Sequence, residues 1–284
     1  MEWERAKSYL LIFFVLLNIG LGGLLFMENR RYTMTGEQER LIRTIMNQNG
    51  IGMYTIMRRF PPMRHLDVSG FYYDEDAIIQ ILFDNPQAVL RHSNHQIFEY
   101  GNSRLTISNG FISYENPDGF RNGFGSTIDE INLAMARTLT DVFINTYFAD
   151  FRLDTTFEEE RGIRLTYHQE YRGQLVHSNF IAFFVTPIGI EQIEMQFGRI
   201  IGHSGDLRML VSPDEALLTF VQRVRHFTQE TPMTIVHMDL VYFQEYLSDQ
   251  EGGVYHAIPF YRIFTACSGD RPYLINAFFN VIID

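Results

Sequence analysis

Three segments of the chain place apolar residues at helical spacing directly after residues that favour a helix start. The first two begin with a capping-box pattern, Thr-x-x-Gln and Thr-x-x-Glu, which can satisfy the free N–H groups of the first turn. The third has a capping serine, proline at the first helical position and two acids beside the positive end of the helix dipole. The pattern predicts helices that begin at Thr35, Thr127 and Ser212 and extend to about residues 49, 148 and 227.

Between these segments apolar residues alternate with a period of two, which indicates strands. The composition agrees, because the 25 phenylalanines and 15 tyrosines are residues that favour strands. The connections are too short for parallel crossovers, so the pattern predicts an α+β fold of antiparallel sheet with packed helices. The predicted strands are 51–60, 95–100, 104–108, 111–115, 151–158, 162–171, 174–186, 190–200, 233–246, 253–266 and 272–282.

One predicted hairpin can be aligned residue by residue, with Arg172-Gly173 as its two-residue turn. In that register Gln169 faces Val176 and His168 faces His177. Two facing histidines suit a metal ion or a proton-sensitive contact, although no further metal ligand is apparent. The alternative interpretation is a solvated histidine pair on the polar face of the hairpin.

The chain opens with an apolar run over residues 9–27 between short charged flanks. A helix of this length extends about 28 Å, close to the thickness of the bilayer core. Bulky residues stand where a signal peptidase would need small ones, so the run predicts an uncleaved transmembrane anchor. Basic residues flank the run on both sides, and the charge rule therefore leaves its orientation open.

Within this run Leu11, Val15, Asn18, Gly22 and Leu25 follow the 4-3 spacing of a helix-packing seam. An amide in the middle of a membrane is costly without a partner, and glycine permits close approach of a second helix. The hypothesis is that these five residues contact another transmembrane helix. The alternative is a simple anchor that tolerates one polar residue.

Charge and motifs narrow the classes of function. A formal net charge of −11 argues against a nucleic-acid partner, which would require a basic face. Cys267 is the single cysteine, so an internal disulfide and a cysteine-based zinc site are excluded. The acidic run at 74–76 is interpreted as water-facing surface. No nucleophile elbow or zinc-protease helix is present in the sequence, and we expect neither catalysis nor a cofactor nor a bound metal.

Turn-forming residues without periodicity mark a domain boundary between residues 117 and 125. The glycines of this stretch match neither phosphate-loop pattern and are interpreted as a linker. The predicted organisation is a tail 1–8, a transmembrane helix 9–27, a juxtamembrane linker 28–35, a first α+β domain 36–118, a linker 119–125 and a second α+β domain 126–284.

Short segments spread along the chain carry a resemblance to a known family. They are Met1-Glu2-Trp3, Thr35-Gly36-Glu37-Gln38, Asn49-Gly50-Ile51, the hairpin from Tyr167 to Ser178, Pro259-Phe260-Tyr261-Arg262-Ile263 and Tyr273-Leu274-Ile275-Asn276-Ala277. With the preceding layout, these segments make essentially the whole chain similar to the YycI (WalI) family. Members of that family are single-pass regulatory proteins associated with the YycG (WalK) sensor kinase of Gram-positive bacteria.

The resemblance implies a cytoplasmic tail, one transmembrane helix and two extracytoplasmic domains like the C-terminal domains of the companion protein YycH. It implies a non-catalytic regulator in the cell membrane that contacts a sensor histidine kinase and a YycH-like companion, and so adjusts cell-wall homeostasis signalling. Whether the protein also forms a homodimer stays open. The alternative function is an extracytoplasmic ligand-binding protein, for example for wall fragments, with a plain membrane tether.

Overall fold

Helices and strands alternate along the chain in a mixed α+β fold. The computed structural model describes residues 7, 10–22, 35–55, 58–71, 74–92, 96–108, 110–120, 130–228, 232–244, 253–266 and 271–283. The helices are α1 (residues 10–22), α2 (Gly36–Gln48), α3 (Glu75–Leu82), α4 (Leu133–Tyr147) and α5 (Pro213–Thr228), with a short 3₁₀ turn at Pro86–Ala88.

The strands join into one large, mainly antiparallel sheet. The strands are β1 (Ile51–Met53), β2 (Met63–Phe71), β3 (Leu90–Arg91), β4 (Ile97–Tyr100), β5 (Ser103–Ser108), β6 (Phe111–Phe120), β7 (Phe151–Glu159), β8 (Gly162–Tyr171), β9 (Gln174–Thr186), β10 (Gly189–Gln196), β11 (Gly198–Arg208), β12 (Met233–Phe243), β13 (Val254–Thr265), β14 (Tyr273–Asn276) and β15 (Ile282–Ile283). The main path of the sheet runs β11-β2-β13-β12-β9-β10-β6-β5-β4-β3, and β1, β7, β8, β14 and β15 attach beside it.

Two main hydrophobic cores form on this sheet. The first takes its side chains from α3, α4 and strands β4 to β10, with Phe143 and Phe183 fully buried at its centre. The second packs α2 and α5 against β1, β12, β13 and β14, around Met46 and Phe220.

The two cores do not follow the predicted division of the chain at residues 119–125. Strand β1 pairs in parallel with β12 and belongs to the second core. Strand β2 pairs with β11 and β13 and buries Leu66 and Val68 in a smaller cluster, so the segment before residue 72 packs with strands from the second half of the chain. The segment on both sides of the predicted linker builds the first core. Gly119 and Phe120 lie inside β6, and 121–125 lie outside the described residues. The predicted antiparallel pairing holds for most of the sheet, and the exceptions are the parallel pair of β1 with β12 and the single parallel bridge between β9 and β12. Strands distant in sequence can pair in parallel without a short crossover.

Local helix signals are confirmed in α2 and α5. Thr35 caps α2 with a complete capping box, since its hydroxyl accepts from the Gln38 N–H at 3.4 Å and the Gln38 amide oxygen accepts from the Thr35 N–H at 3.2 Å. Helix α5 begins at the predicted proline and ends one residue beyond the predicted end. Both starts depend on neighbouring residues alone.

Two other helices differ from the prediction. Helix α4 begins at Leu133, because Asn132 accepts from the Met135 N–H at 3.0 Å and takes the capping role that was predicted for Thr127. Helix α3 was not predicted at all. Asp74, interpreted as surface acid, caps it by accepting from two first-turn N–H groups. The signal was present in the sequence as a capping acid followed by acids in the first turn.

The central hairpin confirms the predicted turn and corrects the predicted register. Arg172 and Gly173 both have positive φ, 51° and 81°, which suits a two-residue hairpin turn. Gln169 faces Val176 as predicted, but His168 faces Phe180. The intervening residues 177–179 of β9 have no partner in β8 and form a bulge. The predicted cross-strand pairing of the two histidines is therefore wrong.

Candidate functional site

Helix α1 presents its apolar side chains outward on every side. From Leu10 to Leu21 its large apolar side chains are between 47% and 74% exposed. Asn18 donates its side-chain amide to the Phe14 carbonyl one turn earlier, at 2.8 Å. One donor of the amide is thus satisfied inside the helix, and its remaining hydrogen-bonding capacity is available to a partner.

Four of the five predicted seam residues lie on α1, and Leu25 lies outside the described residues. A side chain added at Gly22 would meet no atom within 4 Å, so the described chain leaves this face open. Among the residues that the structure describes, no helix has both the length and the apolar character needed to cross a membrane. The predicted span 9–27 extends beyond α1 at both ends, into residues outside the described part.

A second cluster centres on Arg262, whose side chain is 1% exposed. Its guanidinium donates to both carboxylate oxygens of Asp154 at 2.6 and 2.9 Å, and to both of Asp239 at 2.9 and 2.6 Å. A fifth donor lies 3.4 Å from Nδ1 of His177. Burial would lower the pKa of Arg262, but the two carboxylates raise it above its usual value. The charge is therefore permanent and fully paired.

Asp154 connects this cluster to the histidines. Its Oδ2 lies 3.1 Å from Nδ1 of His168, which is 3% exposed. Burial alone would raise the pKa of Asp154, but its close contacts with His168 and Arg262 outweigh it and hold the pKa well below its usual value. Asp154 thus accepts two hydrogen bonds from Arg262 and lies beside the imidazole of His168.

His168 and His177 are brought together by the bulge rather than by the ladder. Their rings stack with centroids 4.7 Å apart and planes 25° apart. The bulge is held by Asn179, which donates to Gly198 O at 2.9 Å and to the Gln169 amide oxygen at 2.6 Å. Burial lowers the pKa of His177 well below its usual value, and His168 and Arg262 lower it further. A solvated pair is therefore the wrong description, since His168 is buried.

The cluster connects strands from both cores. Asp154, His168 and His177 lie on β7, β8 and β9, whereas Asp239 and Arg262 lie on β12 and β13. Sequence reasoning missed the arginine and both aspartates. One signal in the sequence was Arg262 itself, which stands between Tyr261 and Ile263 in a predicted strand. An arginine in such an apolar strand is rarely buried without acidic partners, so its position indicated that carboxylates lie nearby.

A cavity of about 620 Å³ opens beside this cluster. Its lining includes three phenylalanines, Phe180, Phe243 and Phe264, together with both histidines and Arg262. Its polar lining further includes Arg164, Ser178, Glu194, Gln196 and Arg271. A volume of this size and a mixture of apolar walls with a few polar groups are typical of small-molecule sites.

A second grouping of polar residues surrounds Asp67. Ser204 and His256 both hydrogen-bond to Oδ1 of Asp67, at 2.5 and 2.6 Å. In a serine hydrolase the histidine lies between the serine and the acid, so this geometry is different. Within the described ranges, no three His, Cys, Asp or Glu side chains are arranged to hold a metal ion. Cys267 lies outside those ranges.

Comparison with solved structures places the protein in a class of α+β folds with a large antiparallel sheet. The fold is similar to that of an uncharacterized protein from Eubacterium rectale ATCC 33656, with a TM-score of 0.50 and 9% identity over 82% of this chain and 89% of the other. At this identity the similarity concerns the fold alone.

Two named proteins also align with the chain. YycH from Bacillus subtilis aligns with a TM-score of 0.49 and 11% identity, over 77% of this chain and 56% of YycH. The C-terminal domain of YpeB from Bacillus megaterium aligns with a TM-score of 0.40 and 10% identity, over 75% of this chain and 98% of that domain. No protein-family model and no curated protein sequence matches the chain.

Proposed function

We propose that the protein is a non-catalytic, membrane-anchored regulator of a sensor histidine kinase like YycG (WalK). The main support for this proposal is the exposure of ten large apolar side chains on α1, between Leu10 and Leu21. Water contact costs about 25 cal/mol for each Å² of apolar surface, so lipid or apolar partner helices are the favourable surroundings of this helix. The similarity of short segments to the YycI family supports the identity of the partner.

In this proposal residues 1–8 are cytoplasmic, 9–27 cross the membrane and the remaining chain folds outside it. The partners are the transmembrane helices of the kinase and of a YycH-like companion. Asn18 and Gly22 support a contact on one face of α1, because the amide can bond across helices and glycine permits close packing. Regulation then requires that the protein bind the active and inactive helix arrangements of the kinase with different affinity.

A photo-crosslinking scan along residues 11–25 in native membranes tests the proposal, with mass spectrometry to identify the partners. We expect crosslinks to a sensor kinase or a companion anchor that recur with helical periodicity and peak at Asn18 and Gly22. The matched control positions are Phe13, Leu16 and Gly20, which lie on the opposite face of the same helix. Crosslinks to lipid alone at all positions would contradict the proposal.

A span-replacement variant separates regulation from anchoring. Residues 9–27 are exchanged for an unrelated apolar helix of equal length, and transcription of kinase-dependent genes is measured. We expect this variant to lose regulation of the kinase-dependent genes while its association with the membrane stays unchanged. Retained regulation would show that the span serves as a tether.

A further inference from the structure

The cavity beside Arg262 contains polar groups of two kinds, those already paired and those without a partner. Arg262 uses all its donors on Asp154, Asp239 and His177. Arg164 lies 2.7 Å from Glu159 and 3.6 Å from Glu194. These residues form charged walls whose hydrogen bonds are already made within the protein.

Five other lining residues have no side-chain hydrogen bond within the described part of the chain. They are Arg271, which is exposed, Ser178, which is 7% exposed with a buried hydroxyl, and Gln196, Thr155 and Thr166. Because Nδ1 of His177 accepts from Arg262, the neutral ring carries its proton on Nε2 and is a donor there. All the available groups can donate, the hydroxyls and the amide can also accept, and Arg271 is the one cation among them.

We propose that this cavity binds a small organic carboxylate with an apolar body. Arg271 pairs with the carboxylate, and Phe180, Phe243 and Phe264 contact the apolar body. A cationic ligand is disfavoured, because the lining holds three guanidinium groups, those of Arg164, Arg262 and Arg271, against the carboxylates of Asp154 and Glu194. A bare inorganic anion would leave the phenylalanine walls unused.

The site is independent of the proposed role of α1, since no residue of α1 lines the cavity. It joins β8 and β9 of the first core to β13 of the second, so an occupant contacts both groups of elements. Binding would therefore stabilise the arrangement of the two cores relative to each other.

The test is isothermal titration calorimetry on the full chain in detergent micelles. The probes are N-acetylphenylalanine and its primary amide, together with a panel of small aromatic and aliphatic carboxylates, each matched with its amide. We expect carboxylates to bind about tenfold more tightly than their amides, because a charge-assisted hydrogen bond to a guanidinium is lost in the amide.

Arg271→Gln should remove this preference for the carboxylate and leave binding of the amide unchanged. Arg208→Gln is the matched control, since Arg208 is an exposed arginine on β11 outside the cavity. The proposal is overturned by equal affinity for carboxylates and amides, by no saturable binding of any probe, or by a preference that survives Arg271→Gln. Displacement of the bound carboxylate by inorganic phosphate at equal concentration would assign the site to phosphate instead.

Discussion

The imidazole of His177 stacks on that of His168, although the two residues are not opposite each other in the sheet. A bulge in β9 moves His177 out of the ladder and places its Nδ1 beside the buried guanidinium of Arg262. The pair is thereby coupled to Asp154 and to strands of the second core. This contact places two titratable rings where the two cores meet.

The surroundings of His177 predict a loss of stability in acid. Burial lowers its folded-state pKa below the ordinary value of 6.5, so the unfolded chain takes up the proton first as the pH falls through 6.5. The contribution of His177 to stability should then decrease below pH 6.5 with a slope of up to about 1.4 kcal/mol per pH unit, and His65 and His203, whose pKa values are also lowered by burial, add to it. Asp154 adds its own loss below its ordinary value of 3.8, because its folded pKa is also lowered.

Urea unfolding followed by circular dichroism at a series of pH values measures this slope. His177→Gln should flatten the dependence just below pH 6.5, and His226→Gln, an exposed histidine on α5, should retain it. Parallel slopes for the wild type and His177→Gln would show that this histidine does not contribute.

Removing Arg262 should be strongly destabilising. Arg262→Leu leaves the carboxylates of Asp154 and Asp239 without their counter-ion, and breaking a buried pair in this way costs about 3–5 kcal/mol. Asp154→Asn in the same background should restore part of the loss, since it removes one uncompensated charge. The measurement is the free energy of unfolding in urea.

Arg104→Leu provides the control for that comparison. Arg104 is exposed and lies 3.7 Å from Glu99, a surface pair worth about 0–1 kcal/mol. If Arg262→Leu lowered the free energy of unfolding by less than about 1 kcal/mol, water would have to solvate the two carboxylates in place of the guanidinium. That result would contradict the buried geometry of the cluster.

Gly119→Ala should cost more than Gly101→Ala. Both glycines have positive φ, +74° and +60°, which costs a side-chain-bearing residue about 1–2 kcal/mol. At Gly119 an added Cβ would also lie 2.2 Å from the Ile188 carbonyl oxygen, whereas nothing lies near it at Gly101. We therefore expect about 2–5 kcal/mol at Gly119, from strain and overpacking together. Equal thermal or urea stability of the two variants would contradict the close packing of β6 against Ile188.

Gly22→Leu should reduce crosslinking between α1 and its partner, whereas Gly20→Leu should not. A Cβ at either position meets nothing in the described chain, so neither change disturbs the protein itself. The two glycines lie on opposite faces of α1, and bulk at Gly22 alone would separate helices packed on the predicted seam. Crosslink yield from a photoreactive residue at Asn18 in native membranes is the readout. Equal yields from the two variants would exclude the seam.

Predictions based on neighbouring residues agree well with the structure. The capping box at Thr35, the proline start of α5 and the turn at Arg172-Gly173 all depend on backbone preferences within a few residues. The missed helix α3 had the same kind of signal at Asp74. Asp74 is the capping residue and Glu75 and Asp76 lie in the first turn, where acids favour the positive end of the helix dipole. The position of an acidic run relative to an apolar segment can therefore predict a helix start.

Features that join distant parts of the chain did not follow from periodicity. The three residues of the β9 bulge shift the register of β8 against β9. The alternation of apolar and polar residues does not show where a bulge lies or how many residues it contains. The positions of β1 and β2 in the sheet depend on pairing with strands more than a hundred residues away.

The amino-acid pattern thus specified the α+β class, the local starts and turns, and an apolar N-terminal segment with a polar residue inside it. The partners of Arg262, the stacking of the two histidines and the cavity beside them emerged with the folded sheet. The physical reason is that capping and turn preferences act through adjacent residues. A buried charge, in contrast, acquires its counter-ions from whichever strands long-range packing brings beside it.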